Sequence, residues 1–139
     1  MNKFPVHFNG ISVFLPDTRV EAINKEIDDV TSMMSIEENR NFNPIRIIGN
    51  ICIYLRGNRN APLKTFKKAV EFRVQYNFYD VIQCGGDINK LKLAYWDGEK
   101  WIVVSDDEHN YQILPPTTAP LAEFTIEEWA GDPPLAWGR

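Results

Sequence analysis

The chain has 139 residues, 44% of them hydrophobic and 12% aromatic, which is enough for one sizeable core and too few for two ordinary domains. Its 15 basic residues against 19 acidic ones leave a net charge of −4, and the Lys and Arg positions are scattered, which argues against nucleic acid as the main partner. No stretch approaches the roughly 18 apolar residues of a spanning helix, and the opening MNKFPVHFNG lacks the apolar run of about 7 to 15 residues of a secretory signal, so a cytoplasmic protein without membrane insertion is expected.

In chain order, ISVFL near the start reads as a short strand. The next segment breaks the β pattern. In DTRVEAINKEIDDVTSMM, Val20, Ile23, Ile27, Val30 and Met34 recur at helical intervals, and Thr18 with Glu21 matches a capping box, so a helix is expected over about residues 18–34. Its β-branched content also suits an irregular excursion between strands.

IRIIGNICIYL places Ile45, Ile47, Ile51, Ile53 and Leu55 on odd positions with Arg46, Asn50 and Cys52 between them, a period of two that predicts a strand with one buried face. AVEFRVQY repeats the device, with Val70, Phe72, Val74 and Tyr76 inward and Glu71, Arg73 and Gln75 outward. AEFTI near the end is a further short strand. GNRNAP, QCGGDINK and ILPPTTAP read as loops from their Gly, Pro and Asn content.

AYWDGEKWIVV is a hairpin, since Asp97 and Gly98 are the pair that a tight turn favours. A two-residue turn sets Trp96 against Glu99, and a four-residue loop sets Trp96 against Trp101; both put the two indoles on one face. Leu91, Leu93, Tyr95, Ile102 and Val104 then form the core side. The outer face carries Trp96 and Trp101 with Lys92, Ala94, Glu99 and Val103. Trp96, Trp101, Lys92 and Glu99 are therefore a candidate binding surface, while the plainer role of such a pair is to stabilise its own hairpin by about 0.5 to 1.5 kcal/mol.

FKKAVEFRVQY followed by DINKLKLAYWDGEKW resembles the ankyrin-type spectrin-binding β-sandwich family and its bacterial relatives over residues 64–104. The matching positions are Phe66, Lys68 and Val70, then Asp87, Leu91, Leu93, Tyr95 and Trp101; Ala69 and Gln75 stand where that pattern usually has Pro. The resemblance implies a non-catalytic sandwich module used as a spacer or a protein-binding unit.

Few residues suggest chemistry. Asp106, Asp107, Glu108 and His109 lack the spacing of a calcium loop, and a solvated hairpin loop is expected there. Cys52 and Cys84 are too few for a Cys₄ zinc site or a disulfide framework, although one bridge between them is open. His7 and His109 sit in no nucleophile motif, and QCGGD is not a phosphate loop. No cofactor, metal or catalytic residue is expected.

EEWAGDPPLAWGR carries two more tryptophans around a Pro pair that must run extended. Trp129, Leu135 and Trp137 are the candidate residues of a docking tail over 131–139, and the alternative is a strap folded over the sandwich. The expectation is one mainly-β domain over residues 1–130, an Ig-like two-sheet antiparallel β-sandwich with one N-terminal helix, followed by that tail. Its expected role is a non-enzymatic interaction or structural module, such as a small subunit of a larger assembly, with a protein partner or a second copy. A carbohydrate-binding module stacking sugars on the surface tryptophans is the alternative.

Overall fold

Eleven strands account for most of the described chain, in two antiparallel sheets packed face to face. The computed structural model describes residues 4–25, 27, 33, 41–129 and 133–139. The first sheet is built from β1 (Phe4–Phe8), β2 (Ile11–Leu15), β6 (Thr65–Gln75), β10 (Leu121–Glu128) and β9 (Gln112–Ile113), in the order β1-β2-β6-β10-β9. The second follows the order β3-β4-β11-β7-β8, made of β3 (Val20–Lys25), β4 (Pro44–Leu55), β11 (Pro134–Gly138), β7 (Lys92–Trp96) and β8 (Trp101–Val103), and β5 (Asn58–Pro62) pairs with the end of β4.

The period-two segments form strands because one face of each meets the opposite sheet. Val70, Phe72 and Val74 of β6 lie at 0% exposure against Phe124 and Ala122 of β10, and Phe72 stacks on Phe124 with ring centroids 4.9 Å apart. Ile11, Val13 and Leu15 of β2 are buried in the same core. β1, which the sequence pattern did not single out, is joined to β2 by Asn9 and Gly10, both at positive φ, the pair that a two-residue hairpin turn selects. Pro5 is tolerated there because β1 is an edge strand.

The expected helix over 18–34 is corrected over residues 18–25. Val20–Lys25 is β3, paired residue for residue with Leu55–Asn50 of β4. In place of the Thr18–Glu21 capping box, Asp17 holds the chain in a turn and Glu21 lies in β3: the Asp17 carboxylate accepts from the Arg19 backbone N–H and pairs with the Arg19 guanidinium at 2.8 Å. Val20 and Ala22 then reach the core from alternate positions, and cross-strand pairing overrides a weak helical pattern. Apart from Ile27 and Met33, the rest of that expectation lies outside the described residues.

β4 also departs from strict alternation. Its register against β11 shifts between Leu135 and Ala136 and again between Trp137 and Gly138, so two bulges interrupt the pleat. Ile45, Ile48, Ile51 and Ile53 accordingly meet the main core, Ile47 turns to the opposite face, and Leu55 is exposed. GNRNAP is mostly strand β5 rather than loop.

The docking tail is the largest correction. Pro134–Gly138 is an interior strand, hydrogen-bonded to β4 on one side and to β7 on the other. Pro134 opens it, where a missing N–H costs least. Leu135 and Trp137 are at 0% exposure and Trp129 at 1%, so all three belong to the core. Their indole N–H groups donate to backbone carbonyls at 2.8 Å, Trp129 to Ile51 and Trp137 to Gln75, which removes the penalty of burying them.

Candidate functional site

Three places on this frame bear on function, beginning with the outer face of the β7–β8 hairpin. Trp96 pairs directly with Trp101, which selects the four-residue loop. The loop is held by Asp97, whose carboxylate accepts from the backbone N–H groups of Glu99 and Lys100, both at 2.8 Å. The indoles meet edge to face at 5.2 Å on the side away from the main core.

That face is covered. Trp101 is only 2% exposed, its ring lies 5.7 Å from Phe42, and its Nε1–H donates to the Met33 carbonyl at 2.8 Å. Phe42, Ala94, Trp101 and Ala136 form a second buried cluster against which Met33, Ile47, Trp96 and Val103 pack. Lys92 donates to the Asn41 carbonyl, and Asn43 and Arg139 exchange backbone hydrogen bonds, tying residues 41–43 to the sheet. Gly138 has no side chain at the point where Phe42 crosses it; a Cβ there would lie 2.4 Å from the ring. Of the candidate binding surface, Lys92 and Glu99 are exposed and Trp96 is half-buried, so no two-indole platform is presented.

The second place was not anticipated. Phe78–Gln83, within a stretch without strand periodicity, is a short helix α1 directly after β6. Asn77 caps it: its side chain accepts from the Asp80 N–H at 3.0 Å, while the Asp80 carboxylate accepts from the Asn77 N–H at 2.9 Å. Asp80 is fully buried and takes a two-pronged pair from Arg46 of β4, Nε at 3.0 Å and Nη2 at 2.6 Å. Val81 and Cys84 lie on the same inward side. The outward side carries Phe78, Tyr79 and Ile82, exposed by 78%, 53% and 54%. Spacings of three and four residues put them on one surface.

The third place is a groove of about 670 Å³ at the opposite end of β6, lined by Thr65, Phe66, Tyr95, His109, Thr125 and three glutamates, Glu108, Glu127 and Glu128, among others. Asp106–His109 is a one-turn helix α2, not the expected solvated loop. Asn110 ends it in the left-handed region at φ 52 and donates from Nδ2 to the Thr125 hydroxyl at 3.1 Å, which in turn donates to the His109 carbonyl at 3.3 Å. These bonds turn His109 inward, to 7% exposure, edge-on to Tyr95. Its Nδ1 accepts from the Ser105 N–H at 3.4 Å, so the ring proton sits on Nε2. Burial lowers the pKa of His109, against an upward pull from Glu108, and burial with the Glu108 and Asp97 charges raises that of Tyr95.

Among the described residues no group of three or more His, Cys, Asp or Glu side chains is placed to hold a metal ion, and no helix is long and apolar enough to cross a membrane. Cys52 and Cys84 are both buried and are not bridged to each other, and burial raises the pKa of Cys84. His7, exposed on β1, shares a hydrogen bond of 2.7 Å with the Ser12 hydroxyl.

Comparison with family models, with curated proteins and with solved structures finds no match to this chain.

Proposed function

We propose that the chain is a non-enzymatic, immunoglobulin-like interaction module that docks a protein partner, or a second copy of itself within an assembly, through the apolar face of α1. The observation that carries this is the exposure of Phe78, Tyr79 and Ile82 together on one short helix whose inward side is fastened by the Arg46–Asp80 pair. Single exposed apolar residues are ordinary surface, but adjoining aromatic and aliphatic side chains on a fixed element are the composition of an interface hot spot. Fixing the helix beforehand lowers the entropy lost on binding. Each of these side chains contributes about 1.5 to 3 kcal/mol if fully buried by a partner. The likeness of residues 64–104 to spectrin-binding sandwiches is in keeping with a non-catalytic role.

The test is the native mass of the complex recovered from the source cell with the wild-type chain and with Phe78→Asp/Ile82→Asp. The variant is expected to melt as the wild type does and to run at the mass of the isolated chain. An unchanged complex mass in a folded variant removes α1 as the docking face.

A further inference from the structure

A cleft of about 390 Å³ opens where β3 begins and β4 ends, walled by the first residues of β6. The docking reading at α1 does not use it. We propose that this cleft binds a free aliphatic carboxylate, with the alkyl chain laid on Val20, Leu55, Leu63 and Phe66 and the carboxylate met by Lys67 and Lys68.

A bulge builds the cleft. β6 and β10 pair in unbroken register from Gln75↔Leu121 to Val70↔Ile126, which would set Lys68 against Glu128 if it continued. Thr65 takes that place instead, so the residues from Phe66 to Ala69 bow out opposite Glu127 alone. Fraying of the strand end does not account for this, because pairing resumes beyond it: the Trp129 N–H donates to the Lys64 carbonyl at 2.8 Å. On a regular strand Lys67 would face away from Phe66 and Lys68, whereas the bulge brings all three to one cleft.

The floor is apolar. Val20 and Phe66 are half-buried and rest on the main core, and Leu63 is half-buried beside them. Leu55, 41% exposed, is the one large apolar side chain outside α1 that the described residues leave exposed. An apolar lining with a few charged groups at its edge is the usual form of a small-molecule site, at roughly 300 to 1,000 Å³. A space of this size takes one alkyl chain with its head at the mouth and not a run of peptide, which commits the occupant to a free carboxylate.

The mouth supplies the complementary charge. Arg19, Lys67 and Lys68 line it with a single acid, Asp17, and Arg19 already holds that acid at 2.8 Å. Arg56 adds a further cation alongside, where its guanidinium donates to the Thr18 carbonyl at 3.4 Å. The cleft is therefore positive on a chain whose net charge is −4. Such a local field draws in an anion and repels a cation of the same alkyl length.

The experiment is an amide-detected NMR titration of the full chain with decanoate, with decyltrimethylammonium, with acetate and with an Asp-Leu-Leu-Glu peptide. It is repeated on Leu55→Asp, on Lys67→Glu and on Lys90→Glu, an exposed lysine outside the cleft. Saturable shifts at Leu55, Thr65 and Phe66 with decanoate are expected, weakened at least about tenfold in Leu55→Asp and in Lys67→Glu and unchanged in Lys90→Glu. Both cleft positions are exposed, so each variant is expected to melt as the wild type does, and the four probes on the wild-type chain decide the matter without them. Equal binding of decyltrimethylammonium overturns the proposal by removing charge selection, and equal binding of acetate does so by removing the apolar floor. Tighter binding of the peptide replaces the carboxylate with a protein segment. Equal weakening in Lys90→Glu, or no shift with decanoate at millimolar concentration, also overturns it. The Phe78→Asp/Ile82→Asp chain is expected to bind decanoate as the wild type does, so failure at the cleft is distinguishable from failure at α1.

Discussion

The outer face of the β7–β8 hairpin and the outward face of α1 carry comparable aromatic surface and meet opposite fates. At the hairpin, Trp101 finds an acceptor for its N–H in Met33 and an aromatic neighbour in Phe42, so the chain buries its own indole. At α1, Asp80 occupies the inward position and is drawn in by Arg46, which rotates Phe78, Tyr79 and Ile82 out. An aromatic run in a sequence therefore says little about recognition until the covering element is known. A buried charge pair beneath a short helix is the better sign, because it orients the helix by something other than its apolar residues.

The contrast can be broken in graded ways. The largest effect belongs to the sheet that carries the hairpin: deleting residues 133–139 removes an interior strand and three fully buried side chains, and loss of the cooperative thermal transition is expected. A truncated chain that still melts cooperatively near the wild-type temperature contradicts the strand placement. Next comes Trp101→Ala, expected to cost about 3 to 5 kcal/mol in chemical denaturation, while Phe78→Ser stays within about 0.5 kcal/mol. Equal losses at the two positions erase the distinction between covered and presented aromatics.

Asp80→Ala sharpens the α1 half of the comparison. It strands the part-buried Arg46 guanidinium and removes the capping box, for an expected loss of about 2 to 4 kcal/mol in denaturation. Arg46→Ala/Asp80→Ala is expected to lose less than the two single costs added together, since each single change leaves a charge behind.

The smallest effect is the pH dependence of α2. Burial holds the His109 pKa below its ordinary 6.5, so below that value the unfolded chain takes up a proton that the folded one resists. The resulting stability is present above 6.5 and is lost as pH falls through the lowered folded value. Melting temperature measured from about pH 7.5 down to about 5 is expected to fall less in His109→Gln than in the wild type, and parallel curves contradict the burial of this ring.

How much of this was legible in the sequence depended on whether the signal was local. The alternation of Val70, Phe72 and Val74 and the Asp97–Gly98 loop are local, and both appear as expected. Val20 and Ile23 fit helical spacing as well as a strand, and only the partner β4 decides between them. The bulges that turn Ile47 outward depend on β11, a segment almost ninety positions away whose Pro pair suggested an extended tail. For α1 a local signal existed in Asn77 and Asp80, three residues apart in the capping-box spacing, without a long apolar period behind it. The groove had none, because Phe66, Tyr95, His109 and Glu128 come from four elements that meet only in the folded sandwich.

The central claim is that α1, not the tryptophans, is the surface this protein presents. Hydroxyl-radical footprinting of the free chain and of its complex from the source cell tests it in one measurement. Phe78 and Tyr79 are expected to oxidise rapidly in the free chain and to be protected in the complex, with Trp101, Trp129 and Trp137 slow in both. Indoles that react as fast as Phe78 in the free chain, or an α1 that stays equally reactive in the complex, contradict the account.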